Sequence, residues 1–407
     1  MDIEVRSITD GDVEAFRRSL IENFGGDVSD EEGALDRFRD LFETSRTFAA
    51  FDGGEIVGTA GAFSMEVAVP GGTLPMAGTT IVSVRPTHRR RGILRALMRG
   101  HLDEARDRGD PLVGLWASET PIYSRFGFGS AADLLDVSFD SRAVGLRGDE
   151  PTEHVRLVGA DDARKMLPDV YEQHWRDRPG MLARGNVWWE HRHFHDPERD
   201  RDGASARRYA IAFEGDRPTG YVTYRQKSDW GEGIPNGRLE VVEMIGLNPE
   251  ARRALWHLVG NVDLYPNVKW WNAPVDFALP WEVANPRAIT RKVSDSLWLR
   301  LHDVPAALQG RTYAADGLIK IHVVDPFCHW AQGTFSLEVE DGAGSCTPTS
   351  DHPDVTLPAH ALGALYLGGR RATMLARAGL VEGADRDVLR LGSMFSSDVA
   401  PWCQEIF

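Results

Sequence analysis

The sequence is poor in cysteine, in long apolar stretches and in positive charge. Only 3 of its 407 residues are cysteine, none of them in a CxxC spacing, which excludes the disulfide framework of small secreted proteins. No uninterrupted apolar stretch approaches the ~18 residues of a membrane-spanning helix, and the acidic amino-terminal segment lacks the apolar run of a signal peptide. We therefore expect a cytoplasmic protein that does not engage the membrane.

The shortage of positive charge limits the partners of the protein. Lysine and arginine together number 46 against 61 aspartate and glutamate residues, which gives a formal net charge of −15 at pH 7. An acidic field repels polyanions and attracts cations, so we expect no nucleic-acid partner and favour a cationic substrate. The same acidity is equally consistent with high solubility in a salt-tolerant organism, so charge alone does not identify the substrate.

The apolar residues that are present follow the periods of an α/β fold. Residues 47–51 and 56–63 have the pattern of two strands joined by an Asp-Gly-Gly turn, because glycine supplies the positive φ angles of a tight hairpin. Residues 80–84 (TIVSV) predict a buried strand, and residues 94–106 repeat apolar side chains at helical spacing. A basic, glycine-containing loop joins the last two, which predicts a strand–loop–helix unit.

An internal repeat accounts for the length of the chain. Residues 50–58 (AFDGGEIVG) are echoed at residues 212–220 (AFEGDRPTG), and the strand end VRP at 84–86 is echoed by LNP at 247–249. The offsets of the two pairs differ by one residue, and two unrelated similarities would seldom share a spacing. We therefore predict two copies of one α/β fold.

Three domains follow from this repeat and from the change of pattern after it. We place an α/β domain at residues 1–150, its second copy at 151–295 and an α+β domain at 296–407. After its proline the second copy reads EARRAL, without the glycine of the first copy. We expect the second copy to bind no cofactor.

The loop between the predicted strand and helix of the first copy has the composition of an anion site. A helix amino terminus carries unpaired N–H groups and the positive end of the helix dipole. Gly92 allows a close backbone approach to a pyrophosphate, and Arg89 adds a charged hydrogen-bond donor. Taken by itself, an Arg-x-x-Gly sequence is also consistent with a solvated basic turn.

The sequence THRRRGIL resembles the acetyl-CoA loop of the GNAT superfamily of N-acetyltransferases, Gln/Arg-x-x-Gly-x-Gly/Ala, with Arg89 and Gly92 matching and Leu94 departing from it. The blocks VRPTHRRRGILRAL, ASETPIYSRFGFG, LWLRLHDVPAAL, SCTPTSD, LYLGGRRATML and FSSDVAP resemble one branch, the Eis (enhanced intracellular survival) family, over residues 80–400. This resemblance implies two GNAT domains, the second inactive, and a sterol-carrier-protein-like third domain. It also implies a homo-oligomer, namely a hexamer built as a dimer of trimers.

The resemblance implies an acetyl-CoA site made from the strand end, the basic loop and the segment after the next strand. The implied cofactor-binding residues are Val82, Ser83, Val84, Arg89, Arg90, Arg91, Gly92, Ile93, Leu94, Ser118 and Glu119. The strand residues are expected to act through their backbone groups, which leaves their side chains available for packing.

The resemblance also implies the catalytic groups of a direct acetyl transfer in a ternary complex. Tyr123 is the implied general acid, because a tyrosine with a pKa near ~10 stays protonated at neutral pH and can donate to the CoA thiolate. The implied base is the terminal carboxylate of Phe407. A carboxylate of pKa near ~3.5 is a poor base for an ammonium group, so either the environment shifts a pKa or water relays the proton.

Four further residues are candidates for holding a cationic acceptor. Phe24, Asp27 and Phe38 align loosely with family positions that bind the substrate, and Glu405 is an acidic residue near the end of the tail. The acceptor itself stays open between an aminoglycoside-like compound, a polyamine and a protein lysine. The rival function is a lipid- or polyamine-binding protein with a vestigial acetyltransferase site. A metal site at His191, His193 and His195 is not favoured, because no fourth ligand has a suitable spacing.

Overall fold

The computed structural model describes residues 3–28, 33–148 and 150–407 of the chain. In that part, the strands form two seven-stranded sheets, a five-stranded sheet and a two-stranded ribbon. The described helices include no segment with the length and apolar character of a membrane span.

The strands are spread over the whole described chain. In chain order they are β1 (Glu4–Ser7), β2 (Thr47–Asp52), β3 (Glu55–Val69), β4 (Gly72–Val84), β5 (Leu112–Trp116), β6 (Gly129–Ser130), β7 (Asp133–Asp140), β8 (His154–Val158), β9 (Arg208–Glu214), β10 (Arg217–Lys227), β11 (Trp230–Gly231), β12 (Ile234–Pro235), β13 (Arg238–Gly246), β14 (Asn267–Ala273), β15 (Thr290–Asp295), β16 (Leu297–Leu301), β17 (Gly317–Val324), β18 (Gly333–Glu340), β19 (Ala343–Pro348), β20 (Val355–Pro358) and β21 (Glu382–Gly383).

The α-helices are α1 (Val13–Asn23), α2 (Ala34–Leu41), α3 (Ile93–Arg108), α4 (Thr120–Tyr123), α5 (Ser141–Val144), α6 (Ala160–Trp175), α7 (Asn186–Trp188), α8 (Pro249–Gly260), α9 (Leu279–Glu282), α10 (Val304–Gln309), α11 (Ala359–Leu365), α12 (Ala372–Arg377) and α13 (Asp385–Phe395). Short 3-10 turns lie at Asp10–Asp12, Thr44–Arg46, Pro86–His88, Ser124–Phe126, Glu198–Arg201, Pro286–Ala288 and His329–Ala331, and a π-helical turn lies at Trp189–Phe194.

The first sheet has the order β1-β2-β3-β4-β5-β16-β6. Successive side chains of each strand point to opposite faces of the sheet, and helices cover both faces. In β2, Phe48 packs with Ile93 and Leu97 of α3, whereas Phe51 packs with Phe16 of α1. The central sheet is therefore held between α1 and α3, and the strand–loop–helix unit predicted from residues 80–106 is confirmed.

The strand β4 separates from its neighbour β5 before it ends. The parallel pairing of β4 with β5 stops at Thr79 and Leu115, while β4 continues to Val84. The register between β3 and β4 shifts by one residue next to Ile81, which has a φ of 51°. A bulge bends a strand, and a positive φ is uncommon for a β-branched residue, so this bulge redirects the end of β4.

The second seven-stranded sheet repeats the first one. Its order, β15-β7-β14-β13-β10-β9-β8, matches that of the first sheet read from the opposite edge. The parallel pair β13 and β14 corresponds to β4 and β5, and α8 follows β13 as α3 follows β4. The internal repeat inferred from the two echoed segments is confirmed.

The strands of the two sheets divide the chain differently from the boundaries expected at residues 150 and 295. The strand β7, expected in the first domain, pairs with β14 and β15 in the second sheet. The strand β16, expected in the third domain, pairs with β5 and β6 in the first sheet. Strands that are far apart in the sequence leave no local pattern that predicts their pairing, which explains the difference.

The described chain forms two compact units. The first contains the described residues up to Ala132 together with Ser296–Asp398 and Glu405–Phe407, and the second contains Asp133–Asp295 and Val399–Gln404. The first unit thus includes the five-stranded sheet of order β19-β18-β17-β20-β21, with α10 to α13 beside it. In the second unit, the Trp402 indole N–H donates to the Asn272 side-chain oxygen at 3.1 Å, so the tail segment is held there.

Candidate active site

A cavity of about 640 Å³ lies in the first unit, where β4 has separated from β5. Four segments line it: the end of α1, the end of β4, the loop that leads into α3, and the segment around α4. Its lining residues are Asn23, Phe24, Val82, Ser83, Val84, His88, Arg89, Arg90, Gly92, Ile93, Leu94, Arg95, Ser118, Glu119, Ile122, Tyr123, Arg125 and Phe126. Twelve residues expected from the sequence therefore meet in one place, namely Val82, Ser83, Val84, Arg89, Arg90, Gly92, Ile93, Leu94, Ser118, Glu119, Tyr123 and Phe24.

The amino terminus of α3 faces this cavity and is left uncapped. Gly92 is the N-cap residue, and among the described residues no side chain accepts a hydrogen bond from the first turn. Gly92 has a φ of 83°, a conformation that glycine adopts without steric cost, and a Cβ placed there would meet nothing within 4 Å. Backbone donors and the positive end of the helix dipole are thus available to an anion at the cavity wall.

The basic residues of the loop divide between the cavity and the neighbouring hairpin. Arg89 and Arg90 line the cavity, and the Arg89 Nε donates to the Val84 carbonyl at 3.4 Å. Arg91 is absent from the lining, because its guanidinium lies 3.8 Å from the Asp52 carboxylate. Asp52 also lies 3.1 Å from the His88 Nε2, so this one carboxylate holds the loop against the hairpin.

Hydrogen bonds between side chains fix the strand wall of the cavity. The Asn23 Nδ2 donates to the Ser83 hydroxyl at 3.1 Å, and the Thr59 and Ser83 hydroxyls lie 2.7 Å apart. The Thr59 hydroxyl also donates to the Ile81 carbonyl at 2.7 Å, inside the bulge. These contacts hold the redirected end of β4 in place, so that this end of the strand forms one wall of the cavity.

Tyr123 ends α4 and is buried, with 5% of its surface exposed. Its ring packs edge-on against Phe128 at a centroid distance of 6.2 Å. Burial raises the pKa of the Tyr123 hydroxyl above its ordinary value of 10.0, a hydrogen bond with Ser118 opposes the shift, and the Glu119 charge adds to it. The hydroxyl is therefore protonated at neutral pH and can donate a proton into the cavity.

The residues expected to hold the acceptor are not brought together in this cavity. Phe24 lines it and is 60% exposed, whereas Asp27 is exposed and lies outside the lining. Phe38 is stacked on Phe42 at 4.3 Å and packs against Phe16 in the core cluster beside α1. Its aromatic side chain serves the packing of α1 and α2 in this structure.

The carboxyl-terminal residues lie against the first sheet, outside the cavity lining. A Cβ built on Gly78 would lie 3.2 Å from the Phe407 ring, so the absence of a side chain on β4 makes room for the terminal residue. Gly78 pairs with Gly114 next to the last pair before β4 and β5 separate. Glu405 is 4% exposed and also lies outside the lining.

The sequence left several lining residues unassigned. Asn23, His88, Arg95, Arg125 and Phe126 belong to the cavity wall. Arg95 follows the motif by one residue and Arg125 follows Tyr123 by two, so a basic side chain next to a motif was the available signal. The end of α1 gave no such signal, because Asn23 reaches Ser83 only after folding.

His191 and His193 lie in the π-helical turn Trp189–Phe194, and His195 directly follows it. His193 packs on Trp189 at 4.9 Å between ring centroids. Within the described residues, no group of three or more His, Cys, Asp or Glu side chains has the arrangement of a metal site.

Family profiles match all three parts of the chain. A profile described as an acetyltransferase (GNAT) domain matches residues 4–131, and another of the same description matches residues 180–301. A sterol carrier protein domain profile matches residues 304–404. The order of these matches confirms the predicted tandem of GNAT domains followed by a sterol-carrier-like domain.

Full-length relatives and solved structures agree with these profiles. The chain is 38% identical over 406 residues to an uncharacterized N-acetyltransferase of Streptomyces avermitilis, covering 99% of each chain. It is 35% identical over 361 residues to the N-acetyltransferase Eis of Mycobacterium bovis, covering 85% of each. The crystal structure of Eis1 from Mycobacterium abscessus matches with a TM-score of 0.86 and 29% identity over 100% of both chains. A GCN5-related N-acetyltransferase of Anabaena variabilis has the same TM-score of 0.86 at 18% identity, over 100% of both chains, and so shows the fold alone.

Proposed function

Because the chain belongs to the Eis family of GNAT N-acetyltransferases, we propose that it transfers the acetyl group of acetyl-CoA directly to a primary amine of a cationic acceptor. The observation that carries this proposal is one cavity that joins the uncapped amino terminus of α3 to the Tyr123 side chain. An anion site at one end and a proton donor at the other are what an acyl transfer from a diphosphate-bearing thioester requires.

The loop fits the diphosphate of the donor. Arg90 and Gly92 have left-handed φ angles of 64° and 83°, and both residues line the cavity together with Arg89. Charge-assisted hydrogen bonds from arginine strengthen such a contact. Acetyl-CoA supplies an activated acetyl thioester, and Val82, Ser83 and Val84 would orient it through their backbone groups.

Tyr123 is proposed as the general acid. Its raised pKa keeps the hydroxyl protonated at neutral pH, and its position in the cavity wall permits donation to the departing thiolate. The contact with Phe128 fixes the ring, so the hydroxyl does not have to be ordered during the reaction.

The terminal carboxylate of Phe407 is proposed as the group that removes the proton from the amine, directly or through water. Its support is that the chain end lies on β4 of the first unit, where the Phe407 ring covers Gly78. A carboxylate acts as a base here only if its surroundings bring its pKa and that of the amine closer together. Glu119, which lines the cavity, is the group to test if the terminal carboxylate is dispensable.

The acceptor is proposed to be a polycation of the aminoglycoside, polyamine or lysine type. The support is the net charge of −15, which raises the local concentration of cations, and the presence of Glu119 and Phe24 in the cavity wall. We also infer a cytoplasmic location. We further infer assembly into a hexamer, and light scattering on the purified protein would measure the mass of that assembly.

A panel of amines tests the acceptor class. Purified protein is assayed with acetyl-CoA by thiol release, using an aminoglycoside, spermidine, a lysine peptide and a matched monoamine such as hexylamine. We expect kcat/KM for at least one polycation to exceed that of the monoamine by tenfold or more at low salt, and the advantage to fall as salt screens the charges. Equal rates for monoamine and polycations would remove the cationic acceptor from the proposal.

A further inference from the structure

Two segments of the chain form two walls of the cavity, and the side chain of Phe327, which belongs to neither segment, contacts both walls. The first wall includes Arg95 in the first turn of α3, and the second includes Phe126, three residues after Tyr123. Phe327 lies between β17 and β18, in the sterol-carrier-like part of the first unit. Its ring centroid is 4.9 Å from that of Phe126, and the Arg95 guanidinium lies 5.0 Å over its face.

Phe327 is fixed to α3 by a second arginine. The Arg99 guanidinium lies 4.1 Å from the Phe327 ring centroid, and the same side chain donates a hydrogen bond to the Phe327 carbonyl. The Phe327 side chain is 2% exposed, whereas Arg99 is partly exposed and Arg95 is exposed, so the ring is buried beneath two guanidinium groups that still meet water. The segment between β17 and β18 is therefore fixed to α3, the helix that carries the proposed anion site at its amino terminus.

A buried ion pair ties the same loop to the other wall. The Asp325 Oδ1 accepts the N–H groups of Phe327 at 3.0 Å and Cys328 at 2.8 Å, while its Oδ2 accepts from Arg300 at 2.5 Å. Arg300, on β16, also donates to the Phe126 carbonyl at 2.7 Å. Arg300 and Asp325 are both almost completely buried, so this connection is neither screened by salt nor loosened by water.

We propose that Phe327 is a positioning residue for the acetyl donor, which sets the separation between the anion-binding wall and the Tyr123 wall. The sterol-carrier-like domain is then part of the donor site rather than an appended module. This inference rests on the proposed function, because it assumes that acetyl-CoA occupies the cavity. It predicts that changes at Phe327 alter the donor step while leaving the affinity for the acceptor unchanged.

Two substitutions separate the contacts of Phe327 with the two walls. Phe327→Ala removes both contacts, so we expect acetyl-CoA to bind about tenfold more weakly and kcat to fall about tenfold, since small displacements of reacting groups are costly. Phe327→Leu keeps an apolar contact with Phe126 but loses the stacking with Arg95. It should retain kcat within about twofold and still bind acetyl-CoA severalfold more weakly.

The matched control is Phe335→Leu, which makes the same exchange at a buried position of β18 outside the cavity lining. Binding is measured by calorimetry with acetyl-CoA, and kcat by thiol release at saturating acceptor. The control should keep wild-type values of both. If Phe327→Leu and Phe335→Leu behave alike, Phe327 is an ordinary core residue and the inference is wrong.

A double variant distinguishes positioning from a general loss of order. If Phe327 acts on kcat through the Tyr123 wall, Phe327→Ala should lower kcat by less than about twofold in a Tyr123→Phe background, while its effect on binding persists. A full tenfold additional loss of kcat would contradict this route. Should Phe327→Ala fail to fold, Phe327→Leu and its control decide the question. Wild-type protein that binds no acetyl-CoA would instead overturn the proposed function.

Discussion

The two copies of the strand–loop–helix unit have the same topology but treat the amino terminus of their helix in opposite ways. The helix α3 begins after Gly92, and within the described chain no side chain caps it. The helix α8 begins after Asn248, whose side-chain oxygen accepts the Ala251 N–H at 2.7 Å, and Pro249 contributes no N–H group. In the described chain α3 therefore begins without a side-chain cap, whereas α8 is capped by its own N-cap residue.

The strands before the two helices differ in the same sense. Hairpin register aligns Val84 with Gly246, since they pair with the echoed glycines Gly58 and Gly220. The preceding residues of the first copy, Val82 and Ser83, line the cavity. Their counterparts Met244 and Ile245 are buried in the second copy. The comparison teaches that the two copies share a fold but differ at the strand end and the helix amino terminus, the two features of the proposed donor site.

The largest expected effect comes from removing Glu405–Phe407, which belong to the first unit. We expect no measurable turnover with acetyl-CoA binding within twofold of wild type, because the cofactor loop is untouched. A carboxyl-terminal amide, made by ligation, keeps the Phe407 ring on Gly78 and removes only the charge, so it isolates the proposed base. Full kcat in the truncated and amidated proteins would exclude the terminal carboxylate.

The next effect is that of Tyr123→Phe, which removes one hydroxyl and keeps the ring against Phe128. We expect kcat to fall about 10²-fold with little change in the KM for acetyl-CoA. Because the pKa of Tyr123 is raised above 10.0, the acid is lost only above that pH, so wild-type activity should not decline through Tyr123 ionisation below pH ~10. The measurement is a pH profile of kcat for both proteins.

The control for this variant is Tyr221→Phe, which removes a hydroxyl from a completely buried tyrosine of the second unit. Its kcat should stay within about twofold of wild type. A Tyr123→Phe enzyme as active as this control would mean that water or another group protonates the thiolate.

A smaller effect is expected from charge at the helix amino terminus. Gly92→Asp and Gly92→Asn have nearly the same shape, and both residue types tolerate the left-handed φ of 83°. The carboxylate should weaken acetyl-CoA binding at least tenfold relative to the amide, since it repels the diphosphate. Calorimetry on the two variants measures the difference in affinity. Equal affinities would show that this loop does not bind the diphosphate.

The smallest effect is expected in the second copy. Asn248→Ala removes the cap of α8 and also the hydrogen bond that Asn248 donates to Glu153 at 2.8 Å. We expect a loss of about 1 kcal/mol in the free energy of unfolding, measured in urea, with no change in acetyl-CoA binding. Asn248→Ser keeps an acceptor for the cap and should lose less. An altered donor affinity in Asn248→Ala would tie the second copy to the active site.

The sequence predicted what depends on local pattern. The glycine hairpin, the helix after the basic loop and the repeat itself follow from periodicity and turn residues, and the structure confirms them. The expected site residues follow from the resemblance to the family's sequence blocks, which locates the loop in the sequence but says nothing of its geometry.

Features that depend on long-range pairing were not predictable in this way. The bulge at Ile81 requires the register of β3, and the pairing of β7 in the second sheet requires a partner far along the chain. A loose alignment makes Phe38 a candidate for the acceptor site, and only the structure shows that its ring stacks on Phe42 and packs beside α1. Side-chain partners of this kind are fixed by tertiary packing alone.

The central claim, that one copy binds the donor and the other cannot, is tested most directly by the stoichiometry of acetyl-CoA binding. Isothermal titration of the full-length wild-type chain, with Gly92→Asp titrated in parallel, counts the sites and assigns them. The account predicts one site per chain in the wild type and the loss of that site's affinity in Gly92→Asp. Two sites per chain, or one site that survives unchanged in Gly92→Asp, would contradict it.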